Sequence, residues 1–157
     1  MENKSIFLTD IEFQRIVETM PLISIDLIFV RENKEVLLGL RNNRPAQHFW
    51  FVPGGRIYKN ETRAQAMSRI LTQELQLDMS NFSVEFIGPF EHFYPDSFAG
   101  DFGISTHYVV LAYRIHVPAN FQVTIGDKQH QTLTWWPIEE ALSSSEVHQY
   151  SKDYINH

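Results

Sequence analysis

The chain has 157 residues, 43% of them hydrophobic and 20% charged, with 12 Phe, 6 Tyr and 3 Trp. That is enough apolar material for a buried core, which excludes an intrinsically disordered chain and points to one domain over residues 1–157. With no cysteine, disulfide scaffolds, thiolate zinc sites and cysteine nucleophiles are excluded together. A net charge of −6 leaves no basic face for duplex nucleic acid, yet two or three arginines in a cleft would suffice for a phosphorylated small molecule.

The opening MENKSIFLTD lacks an apolar run of signal-peptide length, and no stretch is apolar enough to span a bilayer as a helix. A cytoplasmic location with no membrane partner is therefore expected. Thr9 and Asp10 precede Ile11, Phe13, Ile16, Val17 and Met20 at helical spacing, which predicts a short amphipathic helix. LISIDLIFV (22–30), the turn-like RENK and EVLLGLR (35–41) predict a β-hairpin. HFWFV (48–52) predicts another strand, ended by a tight turn at Pro53-Gly54-Gly55.

From Glu61 to about Leu75 the composition switches to helix formers. Apolar, aromatic strands are predicted near 83–94 and 106–117, separated by the polar loop PDSFAGDFG (95–103), long enough to be functional. TLTWW (132–136) predicts a last strand, and Pro137 suits the first turn of a closing helix, PIEEAL. The fold class that follows is α+β, with a mixed sheet and a helix packed after a Gly-Gly turn.

The turn and helix carry a spaced set of residues. Five residues separate Gly55 from Glu61 and seven separate Glu61 from Arg69, followed by Leu71, Glu74 and Leu77. This pattern resembles the Nudix box, which implies a Nudix-like α/β/α sandwich with a loop-helix motif. Three positions depart from it. Ile70 and Gln73 stand where the box has carboxylates, and Gln76 stands where it has glycine. Positions 70, 73 and 74 share a helix face, so three carboxylates there would make an oxygen-rich site for hard divalent cations. Glu74 alone should hold about one Mg²⁺, with a diphosphate providing much of the ligand charge. Glutamine takes the left-handed cap conformation less readily than glycine, so the helix end is expected to depart from the usual cap.

Further segments are similar to one branch of the superfamily, the GDP-mannose mannosyl hydrolases. They are PLISIDLIF (21–29), LLGLRNNRPAQHFWFVPGGR (37–56), EHFYPDSF (91–98), THYVVL (106–111) and DKQH (127–130), within a resemblance covering roughly residues 8–136. That branch also lacks the same box carboxylates. The resemblance implies hydrolysis of GDP-α-mannose, with GDP-glucose a second substrate, to GDP and the β-sugar. The bond broken would be the anomeric carbon–oxygen bond rather than a phosphorus–oxygen bond.

Inversion needs one base to activate water opposite the leaving group, and GDP leaves as a weak base that needs charge stabilisation. The resemblance places His130 as that base, and an imidazole can take a proton near neutrality. Gln129, Glu74 and the backbone carbonyl of Gly54 would hold one Mg²⁺ per site, for which Mn²⁺ is an expected substitute. Arg41 and Tyr108 would stabilise the departing diphosphate, with Arg56 assisting, since a guanidinium binds phosphate oxygens in bidentate fashion.

Asp26 interrupts an apolar strand, and a buried carboxylate asks for a partner. The resemblance assigns it a mannose hydroxyl, with His92 also on the sugar or phosphate; the residues alone leave an outward-facing Asp26 open. Glu61 and Arg69 are expected to form an ion pair that holds the turn. Phe93 and Tyr94 are candidates for stacking on the base. A homodimer is implied, with the N-terminal helix and the 95–103 loop at its interface. The competing expectations are a pyrophosphohydrolase cutting the P–O bond of a nucleotide sugar and a non-catalytic nucleotide-sugar sensor.

Overall fold

Thr9 caps helix α1 (Asp10–Thr19) reciprocally, its Oγ1 accepting from Glu12 N–H while Glu12 Oε2 accepts from Thr9 N–H at 2.8 Å. The computed structural model of the chain describes residues 8–100, 103–123 and 130–157, apart from the side chains of residues 130 and 131. The hairpin follows as strands β1 (Leu22–Arg31) and β2 (Glu35–Arg41). Its turn has Glu32 and Asn33 at φ 52° and 54°, as a primed turn requires, and Lys34 N–H donates to Arg31 O at 3.0 Å.

β1 is the centre of the sheet. It pairs in parallel with β6 (Thr106–Val117), which pairs antiparallel with β5 (Val84–Tyr94). Both faces of β1 are covered, so its sequence runs apolar rather than alternating. Ile25, Leu27 and Phe29 pack toward helix α2 (Arg63–Leu75) with Met67, Ile70 and Leu71. Ile28 and Val30 pack on the opposite face with Ala141 of α3 (Ile138–Ser143) and Tyr154 of α4 (Gln149–Ile155). The architecture is the expected α+β, a mixed sheet flanked by helices. Among the described residues no helix is long and apolar enough to cross a membrane.

The two hairpin strands do not stay together. They pair at Val30↔Val36 and Arg31↔Glu35 and then part. The chain from 50 to 56 enters the gap: β3 (Trp50–Phe51) pairs with β2, and β4 (Gly54–Arg56) pairs with β1. Leu27 N–H donates to Pro53 O at 2.8 Å between those pairings. On its other edge β2 takes β7 (His130–Pro137).

Four expectations are corrected here. The strand at 48–52 shortens to Trp50–Phe51, because His48 lies at φ 70° and cannot extend it. Pro53-Gly54-Gly55 is not a tight turn: Gly54 and Gly55 are strand residues and neither has a positive φ. Their glycines are required by close approach instead. A Cβ on Gly54 would collide with Asp26 Oδ1 and Ile25 O, and one on Gly55 would stand 3.0 Å from Ile70 Cγ1.

Gln76, third, takes the left-handed cap after all, at φ 54° and ψ 38°. Gln76 N–H to Thr72 O and Leu77 N–H to Leu71 O, each 3.1 Å, close the helix end. Fourth, α4 was not anticipated. Its buried Ser151 Oγ accepts from Val52 N–H at 3.1 Å, tying the helix to the inserted segment.

Gly54→Ala should lower stability by about 1–3 kcal/mol through overpacking against Asp26 and Ile25. Urea unfolding of the purified variant measures this; an unchanged midpoint would show that β4 can yield without cost.

Candidate active site

Where β1 and β2 part, a cavity of about 360 Å³ opens between strands and helix α2. Asp26 reaches it from β1, Arg41 from β2, Arg56 from β4, Glu74 from α2, His92 from β5 and Tyr108 from β6. Six residues far apart in sequence meet there because each lies at the point where its element borders the gap.

The loop before α2 is fixed by one ion pair. Arg69 donates to Glu61 through Nε at 2.6 Å and Nη2 at 2.9 Å, and its Nη2 also donates to Arg56 O at 2.8 Å. Glu61 in turn accepts from Tyr58 N–H at 2.8 Å, and the Arg69 guanidinium lies 3.8 Å from the Tyr58 ring centroid. Hydrogen bonding to Arg69 holds the Glu61 carboxyl below its usual range. The expected scaffold pair is present, and it ties α2 to β4.

Glu74 is buried, and its Oε2 accepts from Gly54 N–H at 3.2 Å. Ile70, 1% exposed, packs against Gly55, and Gln73 borders the cavity. Among the described residues no three His, Asp or Glu side chains converge as a metal cluster. On the α2 side of the cavity the buried Glu74 carboxylate is a hard oxygen donor, suited to one cation that takes further oxygens from a phosphate. Among the described residues, the donor set on α2 fits one Mg²⁺.

Asp26 is buried rather than outward-facing. Tyr154 Oη donates to its Oδ2 at 2.7 Å, and Tyr154 Oη lies 2.8 Å from His92 Nε2. Burial pushes the Asp26 carboxyl up to about 6, against the Tyr154 hydrogen bond and the charge of Arg41. The carboxylate can only accept, so Tyr154 gives it its one proton and His92 Nε2 must supply the next. His92 Nδ1 then faces Tyr94 Oη at 3.5 Å. Burial lowers the His92 imidazole to about 3, so it is neutral, and its ring stacks on Tyr150 at 3.9 Å.

On the other wall, Arg41 Nε is buried with no hydrogen-bond partner among the described residues. The Arg56 guanidinium lies 4.5 Å from the Phe13 ring and 5.0 Å from that of Tyr58. Tyr108 has its phenol pushed up by burial, while the charges of Arg41 and Arg56 act in the opposite sense. The cavity therefore brings the cations Arg41 and Arg56 and the Tyr108 phenol together with the Asp26 carboxylate and its buried polar chain. Phe93 is largely exposed and stacks on His107, and Tyr94 is buried beside His92; Tyr94 alone of the two borders the cavity.

His130 is placed by its backbone, which pairs with Arg41 where β7 meets β2. Its side chain, and all of Gln129, lie outside the described residues. Tyr154 and Phe13 were missed as cavity-region residues. The i,i+4 tyrosines of QYSKDYI were the available signal for the first.

The family model for the NUDIX domain matches residues 20–156. The chain belongs to the Nudix family. Among curated Nudix-length relatives, it is 38% identical to the low-salt glycan biosynthesis protein Agl8 of Haloferax volcanii over 149 residues, 94% of this chain and 88% of that one. It is 26% identical to the CTP pyrophosphohydrolase of Escherichia coli over 127 residues, 78% and 82% of the two chains. The fold is shared with the MutT Nudix hydrolase of Burkholderia pseudomallei (TM-score 0.69, 18% identity, 87% and 97% covered). The Nudix domain of Shewanella oneidensis NrtR, solved with ADP ribose, also shares it (TM-score 0.66, 19% identity, 95% and 96% covered).

The neutral His92 gives this Nudix chain a pH signature. Its folded-state value near 3 lies below the unfolded 6.5, so below pH 6.5 the unfolded chain binds a proton that the folded chain refuses. Relative to His92→Gln, the wild type should lose up to about 1.4 kcal/mol per pH unit as pH falls from 6.5 toward 3. Urea midpoints of both proteins across that range measure the difference; parallel curves would mean that His92 titrates normally.

Proposed function

We propose that the chain hydrolyses GDP-α-mannose, and GDP-glucose as a second substrate, to GDP and the β-sugar by inverting attack of water at the anomeric carbon. The observation that carries this reading is the helix face at 70, 73 and 74. Ile70 is committed to packing on Gly55 and only Glu74 presents a carboxylate, while cations and a phenol face a buried Asp26 across one cavity. That donor set suits neutralising a leaving diphosphate better than assembling several metals on an attacked phosphorus. Similarity to a glycan biosynthesis protein supports a nucleotide-sugar substrate.

In this reading His130 takes the proton of the attacking water as the new C–O bond forms. The bond from the anomeric carbon to the diphosphate breaks, and its electron pair leaves with GDP. Arg41, with Arg56 beside it, binds the diphosphate oxygens, and Tyr108 donates to the departing phosphate. Glu74, the Gly54 carbonyl and Gln129 would hold one Mg²⁺, with Mn²⁺ an expected substitute; when bound, it neutralises negative charge developing on the diphosphate. Asp26 accepts from a sugar hydroxyl, and His92 supports it from behind. A homodimer is the assembly that accompanies this reading, and the exposed apolar Ile11, Met20 and Ile23 are surface compatible with it.

Hydrolysis of GDP-α-mannose with Mg²⁺ in oxygen-18 water tests the proposal. The expected products are GDP and mannose labelled at the anomeric carbon, with His130→Gln slowing turnover by roughly 10²–10⁴. GMP and mannose 1-phosphate, with label on phosphorus, would return the chain to ordinary Nudix pyrophosphate cleavage. Tight binding without turnover would instead favour a sensor.

Arg41→Gln separates the diphosphate's share. It should lower kcat by about 10²-fold or more, because the cation acts mainly on charge that develops as the bond breaks. Initial rates over a range of substrate concentrations read this; a rise in KM with kcat intact would confine Arg41 to ground-state binding.

A further inference from the structure

We propose that Tyr154, on the short helix α4, is a positioning residue that fixes Asp26 for the sugar end of the substrate, with His92 as its support; this rests on the nucleotide-sugar reading. The chain of contacts runs from His92 Nε2 to Tyr154 Oη at 2.8 Å and from Tyr154 Oη to Asp26 Oδ2 at 2.7 Å. All three residues are buried, and Tyr154 is 0% exposed. Asp26 and His92 border the cavity, whereas Tyr154 does not, so it acts only through them.

An isolated buried carboxylate would rotate or protonate. Tyr154 occupies Oδ2, which leaves Oδ1, beside Gly54, to face other donors. A carboxylate held by one phenol and offered through its second oxygen is built to accept a hydroxyl, the group that distinguishes a sugar from the diphosphate.

Tyr154 is itself fixed independently of that contact. Its ring meets Phe90 edge-on with centroids 4.8 Å apart, and its carbonyl accepts from Arg114 Nη2 at 3.1 Å. One turn earlier Tyr150 Oη accepts from Phe93 N–H at 2.8 Å and donates to Phe93 O at 2.9 Å. The same helix thus carries one tyrosine hydroxyl that docks it to β5 and another that reaches Asp26. That pairing provides an internal control, since loss of either hydroxyl weakens the docked helix but only one touches the sugar-side carboxylate.

The experiment compares Tyr154→Phe and Tyr150→Phe with the wild-type chain in three measurements. They are kcat/KM for GDP-α-mannose, the inhibition constant of GDP, and the urea midpoint. Tyr154→Phe should lower kcat/KM for GDP-α-mannose roughly 10-fold or more while GDP inhibition stays within about 2-fold. Tyr150→Phe should lower the urea midpoint with both ligand constants unchanged. In an Asp26→Asn background, Tyr154→Phe should have little further effect on the sugar nucleotide, because the two residues act as one unit.

If both tyrosine variants shift the two ligand constants together, or neither shifts them, Tyr154 is merely structural and the proposal fails. A wild-type chain that does not turn over GDP-α-mannose defeats the C–O cleavage reading instead. The same comparison is then made by equilibrium binding of GDP and GDP-α-mannose. There, equal wild-type affinities for the two ligands overturn both proposals, and a sugar-dependent affinity lost only in Tyr154→Phe sustains this one.

Discussion

The approach of Gly54 to Asp26 is the contact on which the rest of the site depends. Two hairpin strands that stayed paired along their length would bury Asp26 against Arg41's strand and leave no cleft. Instead residues 50–56 enter between them, and that insertion is possible only because residue 54 lacks a side chain where Asp26 Oδ1 and Ile25 O already stand. From this one close approach follow the gap, the position of Arg41 on its far edge, and the presentation of Gly54 N–H to Glu74. The inserted segment is held from outside as well: Trp50 N–H donates to Glu146 O and Val52 N–H to Ser151 Oγ. The C-terminal helices therefore help to keep the strands apart.

Charge in the cavity is arranged by the same geometry. The Glu61–Arg69 pair consumes one cation and one carboxylate in scaffolding, with side chains 9% and 19% exposed, so it can contribute more than a surface pair. Arg41 and Arg56 border the cavity, where the Arg56 guanidinium lies against the rings of Phe13 and Tyr58. Asp26 sits close enough to feel Arg41 but accepts its hydrogen bond from Tyr154. A cleft bordered by more arginines than carboxylates is locally cationic even on a chain whose net charge is −6.

Much of this was legible in the sequence where one local rule dominates. Thr9 and Glu12, and again Thr62 and Gln65, announce helix starts through reciprocal caps, and the apolar run of 22–30 announces a strand covered on both faces. The spacing from Gly55 to Glu74 led directly to the ion pair and the buried carboxylate. The departures have nonlocal causes. Pro-Gly-Gly looks like a turn by composition, but its glycines answer a clash with β1 that only tertiary structure reveals. Gln76 adopts the left-handed cap because two backbone hydrogen bonds outweigh a modest conformational penalty. Helix α4 is seven residues long and capped by an imidazole, His148 Nδ1 accepting from Tyr150 N–H at 3.2 Å, so no Ser, Thr or Asp marks its start. With that helix went Tyr154, the partner that Asp26 required.

The altered box face is consistent with this placement of Asp26. A carboxylate in place of Ile70 would have to be desolvated against Gly55, a penalty of several kcal/mol per ion unless a cation compensates it. The isoleucine instead contributes about 1.5–3 kcal/mol of apolar burial and needs no cation to do so. Ile70, Leu71 and the Glu61–Arg69 pair hold α2 in place through protein contacts. Asp26, the buried carboxylate that is not on the helix among the described residues, is stabilised by a phenol that a neutral imidazole supports. The two buried carboxylates at the cavity are thus held differently, Glu74 on the helix face by a backbone N–H and Asp26 on the strand wall by a hydroxyl group.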